Sequence, residues 1–317
     1  MPAESPSEVA ARVAPAIAGL RVDRVTAGVV AAFDETGVPS ILLKGPSIAA
    51  TLYRDGAGRP YADADLLVPP DRHPQAAQIL ANLGFENVLA EEETPGWKLT
   101  AELWIRPDGP QVDLHRTLTG IGVAAAAAWE ALSARSRPMR VGGVTVQVLS
   151  GPALAFNVAL HACQHGRKDE RRLKDLTRAV EAIGADEWRE AAELARCLEA
   201  VPAFAIGLRL VPAGSRLAAE LGLPAAASRA ASLRASNPPR GALGLEELAQ
   251  AGGSKAKLDL IVSNFVPSPE FLRAWSPLAR RGRLGLAAAY VWRPIAILLR
   301  AVPASLAWLH ASRQSSS

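Results

Sequence analysis

Cysteine and aromatic residues are scarce in this chain. Among its 317 residues there are two cysteines, and Phe, Trp and Tyr together contribute 5%. Cys163 and Cys197 lie far apart in helical patterns and lack a CxxC spacing, which argues against a disulfide framework or a zinc cluster. We expect both to be buried free thiols in a reducing compartment. Few aromatic residues and abundant alanine predict a helix-rich protein.

Signals for export and for nucleic-acid binding are also weak. The N-terminal residues lack the charged segment and uninterrupted apolar run of a secretory signal, so we predict a cytoplasmic protein. A dense basic stripe interleaved with aromatic residues is missing. The net charge of +4 comes mainly from arginine and can reflect base composition as well as a polyanionic partner.

The most apolar segment, residues 283–313, is interrupted by charged residues and prolines. Arg293, Pro294, Arg300 and Pro303 leave no run of about 20 apolar residues, which predicts that no segment spans a membrane. Arg293 and Arg300 share a helical face, so the segment could lie on a membrane surface as an amphipathic helix. The alternative is a helix packed on its domain with both arginines in solvent.

Length and local pattern predict two domains after a short lead-in. Residues 1–37 have near-helical apolar spacing, residues 38–150 alternate between strand and helix patterns, and residues 151–317 read as helical. Small residues and prolines in residues 227–244 predict a loop. The fold class predicted is α+β, with a short mixed sheet and helices followed by a helical C-terminal domain.

Two aspartates in the segment 41–68 form the most distinctive pattern. Asp63 and Asp65 are one residue apart on a predicted strand, so both carboxylates point to the same face. Paired carboxylates are suitable ligands for a magnesium ion that bridges substrate phosphates. The alternative is a pair of exposed strand carboxylates without a ligand.

A third aspartate lies on a later predicted strand. In the segment 111–118, Val112 and Leu114 are expected on the core side, and Asp113 and His115 on the opposite side. Placed beside Asp63 and Asp65, Asp113 would complete a site for two magnesium ions, which is the chemistry of nucleotidyl transfer. His115 either orients an acceptor or water, or is a structural histidine.

These motifs resemble, in order and approximate spacing, the uncharacterised bacterial nucleotidyltransferases of the polymerase-beta-like superfamily. The resemblance implies a polymerase-beta-like core, an NTP such as ATP as substrate, and Mg²⁺ as cofactor. It also implies that Asp63, Asp65 and Asp113 are catalytic and bind metal. The matching segments are Leu42-Leu43-Lys44-Gly45, Arg59-Pro60, Asp63-Ala64-Asp65-Leu66-Leu67-Val68, Leu83-Gly84-Phe85 and Val112-Asp113-Leu114-His115.

The turn after the first strand is the expected phosphate-binding element. Lys44 can neutralise phosphate charge, and Gly45 occupies the position of the first glycine in the superfamily's turn. That glycine is usually followed by Gly or Ser, but here Pro46 follows and has no N–H to donate. Ser47 is therefore expected to supply the contact with phosphate.

Basic residues elsewhere are further candidates for nucleotide binding. Arg59 either reaches the triphosphate or pairs with Asp55 or Asp63. The segment containing His161, His165, Arg172 and Lys174 resembles the helical part of the same family. We expect His165, Arg172 and Lys174, together with Asp175, to meet the nucleotide in a cleft, although a solvated charged helix face explains the run equally well. A zinc site at His161 and His165 is disfavoured, because no third ligand is evident.

The sequence thus predicts a magnesium-dependent transferase that moves a nucleoside monophosphate from an NTP to a hydroxyl or phosphate. The acceptor class stays open among a small molecule, a natural product and a protein, with RNA less favoured. The alternative is a noncatalytic nucleotide-binding or scaffold protein of a biosynthetic system.

Overall fold

A computed structural model describes residues 6–55, 58–88, 100–107, 109–225, 229–236 and 241–314. The strands are β1 Ile41–Leu42, β2 Asp63–Leu67, β3 Glu86–Asn87, β4 Ala101–Ile105, β5 Gln111–His115, β6 Ser136–Val141 and β7 Val144–Leu149. The helices are α1 Pro6–Glu35, α2 Pro46–Leu52, α3 His73–Asn82, α4 Ala125–Ser133, α5 Gly151–His165, α6 Glu170–Ala182, α7 Ala185–Cys197, α8 Val201–Leu208, α9 Pro212–Glu220, α10 Arg229–Ala235, α11 Ala242–Gln250, α12 Gly253–Phe265, α13 Pro269–Trp275 and α14 Gly282–Gln314.

The strands of these described residues form one mixed sheet in the order β3-β4-β5-β2-β1-β7-β6. The central strand β2 pairs in parallel with β5 and antiparallel with β1, which itself pairs in parallel with β7. β6 and β7 form a hairpin, and both turn residues, Gly142 and Gly143, have positive φ. Such a turn favours glycine because positive φ is costly for other residues. The α+β prediction is confirmed.

The apolar face of the sheet packs against α1 and α3. Ala64 and Leu66 of β2 and Val112 and Leu114 of β5 are fully buried in this core. Because side chains alternate along a strand, the intervening aspartates and His115 lie on the other face, as predicted. The helices contribute Val22, Val29, Val30, Phe33, Ala76 and Leu80 to the same core.

Several predicted elements differ in extent from those observed. The sequence of residues 85–90 predicts a strand, but β3 covers only Glu86–Asn87, and residues 89–90 lie outside the described ones. Apolar residues at alternate positions over 97–105 also predict a strand. The structure has this strand, β4, from Ala101 onward, and residues 97–99 lie outside the described ones. The loop predicted at 227–244 is wrong in part, since α10 lies within it and α11 begins there.

Contacts divide the chain into two compact units. The first holds Met1–Asn87, Thr100–Val158 and Lys174–Ala200, and the second holds Val88–Leu99, Ala159–Leu173 and Val201–Ser317. The three-part division at residues 37 and 150 stays a prediction. Within the second unit, an added Cβ at Gly207 would lie 1.9 Å from the Ala159 backbone oxygen, so α8 crosses α5 where only glycine fits.

The apolar C-terminal segment forms one helix, α14, with Pro294 and Pro303 inside it. Gly282–Leu309 is long and apolar enough, at a mean hydropathy of 1.4, to cross a membrane by length and composition alone. One such helix is weak evidence, because core helices of soluble proteins pass the same test. The expected lack of a membrane span stays a prediction.

Two side-chain predictions are wrong. Arg293 is not in solvent: it is 7% exposed, its Nε donates to the Asn264 carbonyl at 2.7 Å, and its guanidinium lies 4.6 Å from the centre of the Phe271 ring. The Arg300 side chain lies outside the described part. Cys163 is a buried free thiol as expected, whereas Cys197 is exposed.

Candidate active site

The turn after β1 places Lys44 beside β2. The Leu43 N–H donates to the Asp65 carbonyl at 2.9 Å, which extends the ladder one residue beyond β1. The Leu43 carbonyl in turn accepts from Asn157 Nδ2 at 3.0 Å. Gly45 then takes φ +67, a left-handed conformation that favours glycine, and starts α2. The backbone around Lys44 is therefore fixed on both sides.

Three polar side chains meet on the face of the sheet opposite the core. In the parallel register of β2 and β5, Asp65 lies directly opposite Asp113, and Leu67 lies opposite His115. The candidate ligand atoms of Asp65, Asp113 and His115 all lie within 4.8 Å of one another. Asp65 Oδ1 contacts Lys44 Nζ at 2.5 Å and His115 Nε2 at 3.1 Å.

The two carboxylates of this cluster have opposite electrostatic environments. Burial opposes ionisation of Asp65, but the charge of Lys44 and the hydrogen bond with His115 outweigh it and hold the pKa of Asp65 well below its usual range. For Asp113, burial and then the neighbouring Asp65 charge raise the pKa to about 6. The cluster therefore holds one strongly ionised carboxylate next to one that retains its proton more readily.

Asp63 lies at the start of β2, opposite Gln111 and half-buried. Its carboxylate is not in the cluster of Asp65, Asp113 and His115 among the described residues. Its negative charge nevertheless contributes to the raised pKa of Asp113, and it interacts with Arg59. The structure thus brings two of the three predicted aspartates together and leaves Asp63 at the edge of their cluster.

The donor set fits a divalent cation. Two carboxylates on adjacent strands are hard oxygen ligands of the kind that Mg²⁺ and Mn²⁺ take. His115 Nδ1 is buried and has no hydrogen-bond partner among the described residues. This ring can therefore either donate a ligand atom or hold the Asp65 carboxylate in place from Nε2, as residues around metal ligands commonly do.

Ser47 takes part in the turn itself. It is buried, and its hydroxyl donates to the Lys44 carbonyl at 3.2 Å. In this arrangement the hydroxyl proton stabilises the turn instead of pointing to a ligand. The predicted contact between Ser47 and phosphate stays a prediction and requires the hydroxyl to rotate.

Arg59 pairs with a residue that sequence reasoning did not connect to it. Its Nε and Nη2 donate to both oxygens of Asp175 on α6 at 2.8 to 3.0 Å, and both side chains are buried. Tyr53 donates its hydroxyl to the same carboxylate at 2.7 Å. The prediction that Arg59 pairs with Asp55 or Asp63 is therefore wrong as far as hydrogen bonds are concerned. The geometry favours a structural role over phosphate binding.

A more exposed pair flanks this buried one. Arg178 donates to both oxygens of Asp55, at 3.0 and 2.9 Å, and its guanidinium lies 4.2 Å from the centre of the Tyr53 ring. The predicted nucleotide-binding residue Lys174 places its Nζ 5.9 Å from the same ring. Lys174 is exposed, which leaves its predicted role open.

The other two predicted nucleotide-binding residues belong to the second unit. Arg172 donates from Nε to His161 Nε2 at 3.1 Å, and its Nη1 lies 3.5 Å from Asp169. His165 Nδ1 lies 3.6 Å from the same carboxylate, and its ring packs edge-on against His161. His165 and Arg172 thus form one polar cluster with each other, and their contact with nucleotide stays a prediction.

A separate buried polar cluster surrounds Glu102 of β4. Glu102 accepts from Arg116, Trp104 and Asn87 at 2.9 to 3.2 Å, and His73 Nδ1 lies 3.9 Å from it. Burial, followed by the charge of Arg116, lowers the pKa of His73 to about 4 despite a hydrogen bond with the Leu114 backbone. His73 is therefore neutral in the folded protein near neutral pH.

Comparison with known proteins identifies the family of the chain. A family profile described as "uncharacterised nucleotidyltransferase" matches residues 10–213, which is more than half of the chain. The chain belongs to this nucleotidyltransferase family. It is accordingly a transferase, and its general reaction is the transfer of a nucleoside monophosphate. No curated protein matches the chain.

Solved structures give weaker likenesses. A solution structure of the antibiotic-resistance factor ANT(2'')-Ia has 20% identity over 54% of this chain and 87% of its own, with a TM-score of 0.39. A crystal structure of ANT(2'')-Ia with adenylyl-2''-tobramycin has 22% identity over 53% and 93%, with a TM-score of 0.39. An antigenic nucleotidyltransferase-like protein from Paracoccidioides brasiliensis has 17% identity over 64% and 93%, with a TM-score of 0.37. At such scores these likenesses decide nothing about the site.

The nucleotidyltransferase contains supporting contacts that were not predicted from the sequence. Asn157 holds the carbonyl before Lys44, and Asp175 and Tyr53 hold Arg59. Asp175 is 116 residues from Arg59, and Asn157 is 114 residues from Leu43. Pairs this distant leave no spacing signal in a single sequence.

Proposed function

We propose that this nucleotidyltransferase is a magnesium-dependent enzyme with a two-metal mechanism, and that Asp65 and Asp113 form its centre. The cluster of two carboxylates with Lys44 and His115, on the polar face of the central strands, is the observation that carries the proposal. Asp63 is within electrostatic range of Asp113 and is the third carboxylate of the site.

In the proposed reaction, an acceptor oxygen attacks the α-phosphorus of an NTP. The bond between that phosphorus and the bridging oxygen breaks, and pyrophosphate leaves. Asp113 accepts the proton of an acceptor hydroxyl, or else helps to hold the second metal. When bound, the magnesium ions supply charge stabilisation for the phosphates and activate the attacking oxygen.

Lys44 supplies the positive charge that this centre offers to substrate phosphate. Its ammonium already lies at Asp65 Oδ1, so a phosphate bound next to that carboxylate is within its reach. Asn157 and Gly45 fix the backbone on both sides of Lys44, which limits the reorganisation needed when substrate binds. His115 orients Asp65 through its Nε2.

The acceptor in this proposal is a small molecule, a natural product or a protein carrying a hydroxyl or phosphate group. RNA is the less favoured acceptor, because the sequence lacks a basic stripe interleaved with aromatic residues. Lys174, His165 and Arg172 remain candidates for contact with the nucleotide.

The test is pyrophosphate release from the purified full chain with each NTP, in Mg²⁺ or Mn²⁺. Asp65→Asn keeps the size of the side chain and removes its charge, and it should lower turnover at least about 100-fold. Asp71→Asn removes the same charge from an exposed position just after β2, where the side chain is 77% exposed, and should leave turnover unchanged.

The alternative of a noncatalytic nucleotide-binding protein makes a different prediction. In that case an NTP binds in calorimetry without pyrophosphate release, and Asp65→Asn has no effect on turnover above background. Equal residual activity in the Asp65 and Asp71 variants would also refute the proposed centre.

A further inference from the structure

Helix α14 carries a long apolar stripe on its exposed side. Large apolar side chains from Leu284 to Leu309 are 44 to 88% exposed, and they include Val291, Ile295, Leu298, Leu299, Val302 and Leu306. At about 100° per residue these positions fall within about 120° of the helix circumference. The stripe is about 38 Å long at about 1.5 Å per residue. Soluble monomers rarely expose a continuous apolar patch of this extent.

The other side of α14 is already occupied by protein. Ala289, Ala296, Ala304 and Ala311 are buried, and α14 contacts α10, α11, α12 and α13. Arg293 is also on this side, where it contacts Asn264 and Phe271. A helix crossing a bilayer alone would have lipid on all sides, so a helix with one packed side is suited to lie in the plane of a membrane surface.

Charge distinguishes a membrane from a second copy of the chain as the occupant of the stripe. Arg280 and Arg281 just before α14 and Arg283 in its first turn are exposed, and the helix sequence contains no acidic residue. Lys255 and Lys257 on the neighbouring α12 are exposed as well. Anionic lipid headgroups attract such a basic cluster. A second copy would bring positive charge of the same sign against it.

We propose that the apolar stripe of α14 binds the surface of an anionic membrane, with the helix in the membrane plane and the arginines at its start among the headgroups. Trp292, which is 49% exposed in the stripe, has the amphipathic ring that is favoured at the membrane interface. Binding through the apolar stripe would hold the nucleotidyltransferase at a membrane without a spanning segment. This inference does not depend on the proposed mechanism.

The test is co-sedimentation of the full-length protein with vesicles of phosphatidylcholine alone or mixed with phosphatidylglycerol. We expect binding to the mixed vesicles and release at alkaline pH in carbonate. The double variant Leu299→Glu, Val302→Glu changes side chains that are 68% and 67% exposed, and it should weaken binding at least about 100-fold. Replacing the three arginines with Gln should weaken it by about 100-fold, at about one factor of five per charge.

The matched control is Ile17→Glu, Leu20→Glu on α1, where the native side chains are 47% and 68% exposed. This control adds the same charge outside the stripe, and it should bind vesicles like the unchanged protein. All variants should keep the circular dichroism spectrum, because the substituted side chains are exposed.

Three results would overturn the inference. One is the absence of binding to mixed vesicles together with a dimer in solution that becomes a monomer in the α14 variant. This result would identify a second copy of the chain as the occupant of the stripe. Another is resistance of the bound protein to carbonate extraction, which would indicate a spanning helix. The third is equal loss of binding in the α1 control.

Discussion

Removal of the Lys44 charge should strengthen metal binding and weaken catalysis. Asp65 Oδ1 accepts from both Lys44 and His115, so a cation that binds this oxygen must displace the ammonium 2.5 Å away. A hydrogen bond between charged groups contributes about 1.5–3 kcal/mol net. Lys44→Met keeps the stem of the side chain and removes that competition. The affinity for a divalent cation should therefore rise about 10- to 100-fold.

The same variant should lower kcat/KM, because the charge offered to the phosphates is lost. Binding of Mn²⁺ in the absence of nucleotide, followed by electron paramagnetic resonance or calorimetry, measures the first effect, and pyrophosphate release measures the second. Lys255→Met, a change at an exposed position on α12, controls for the lower net charge and should alter neither quantity.

An unchanged or lower Mn²⁺ affinity in Lys44→Met would refute this reasoning. It would mean that the cation does not bind at Asp65 Oδ1, whatever the effect on turnover. Loss of kcat/KM with no change in metal affinity would leave Lys44 as a phosphate ligand outside the metal site.

Two further predictions concern stability. Arg59→Met leaves the buried Asp175 carboxylate without its cation and should lower the free energy of unfolding by about 3–5 kcal/mol in urea titrations. Arg178→Met breaks a more exposed pair and should lower the free energy of unfolding much less. Equal costs for the two variants would contradict the structural role of Arg59. The pKa of His73 is about 4 in the folded protein and about 6.5 in the unfolded protein, so the unfolded state binds more protons between these pH values. The contribution of neutral His73 to stability is therefore full above about pH 6.5 and is lost as the pH falls toward 4. Relative to His73→Gln, the unchanged protein should lose about 3 kcal/mol from pH 7 to pH 4, and parallel pH profiles would show that His73 is not responsible.

Sequence reasoning correctly predicted the faces of the central strands. Side-chain alternation is a local property of extended backbone, so Ala64 and Leu66 had to face away from Asp63 and Asp65. The same reasoning placed Asp113 with His115, and all of these assignments agree with the structure. The helical C-terminal part followed from composition and apolar spacing in the same way.

Helix surfaces were harder to predict, because exposure depends on the neighbours of a helix. Arg293 reads as a solvated charge in the sequence, yet α12 and α13 supply a carbonyl and an aromatic ring for it. Helical periodicity identifies which side chains share a face, but it does not tell which of two faces another helix covers. Packing of the alanine side of α14 against its neighbours leaves the apolar stripe as the exposed side.

The amino-acid sequence by itself determined the α+β class, the polar strand faces and the order of motifs that marks a nucleotidyltransferase. Only the tertiary structure decided which side chains meet. The register of β2 against β5 puts Asp65, and not Asp63, opposite Asp113, and the fold brings Asp175 to Arg59 across 116 residues. The physical reason is that strand alternation is fixed within a few residues, whereas strand register and helix contacts depend on how distant parts of the chain pack together.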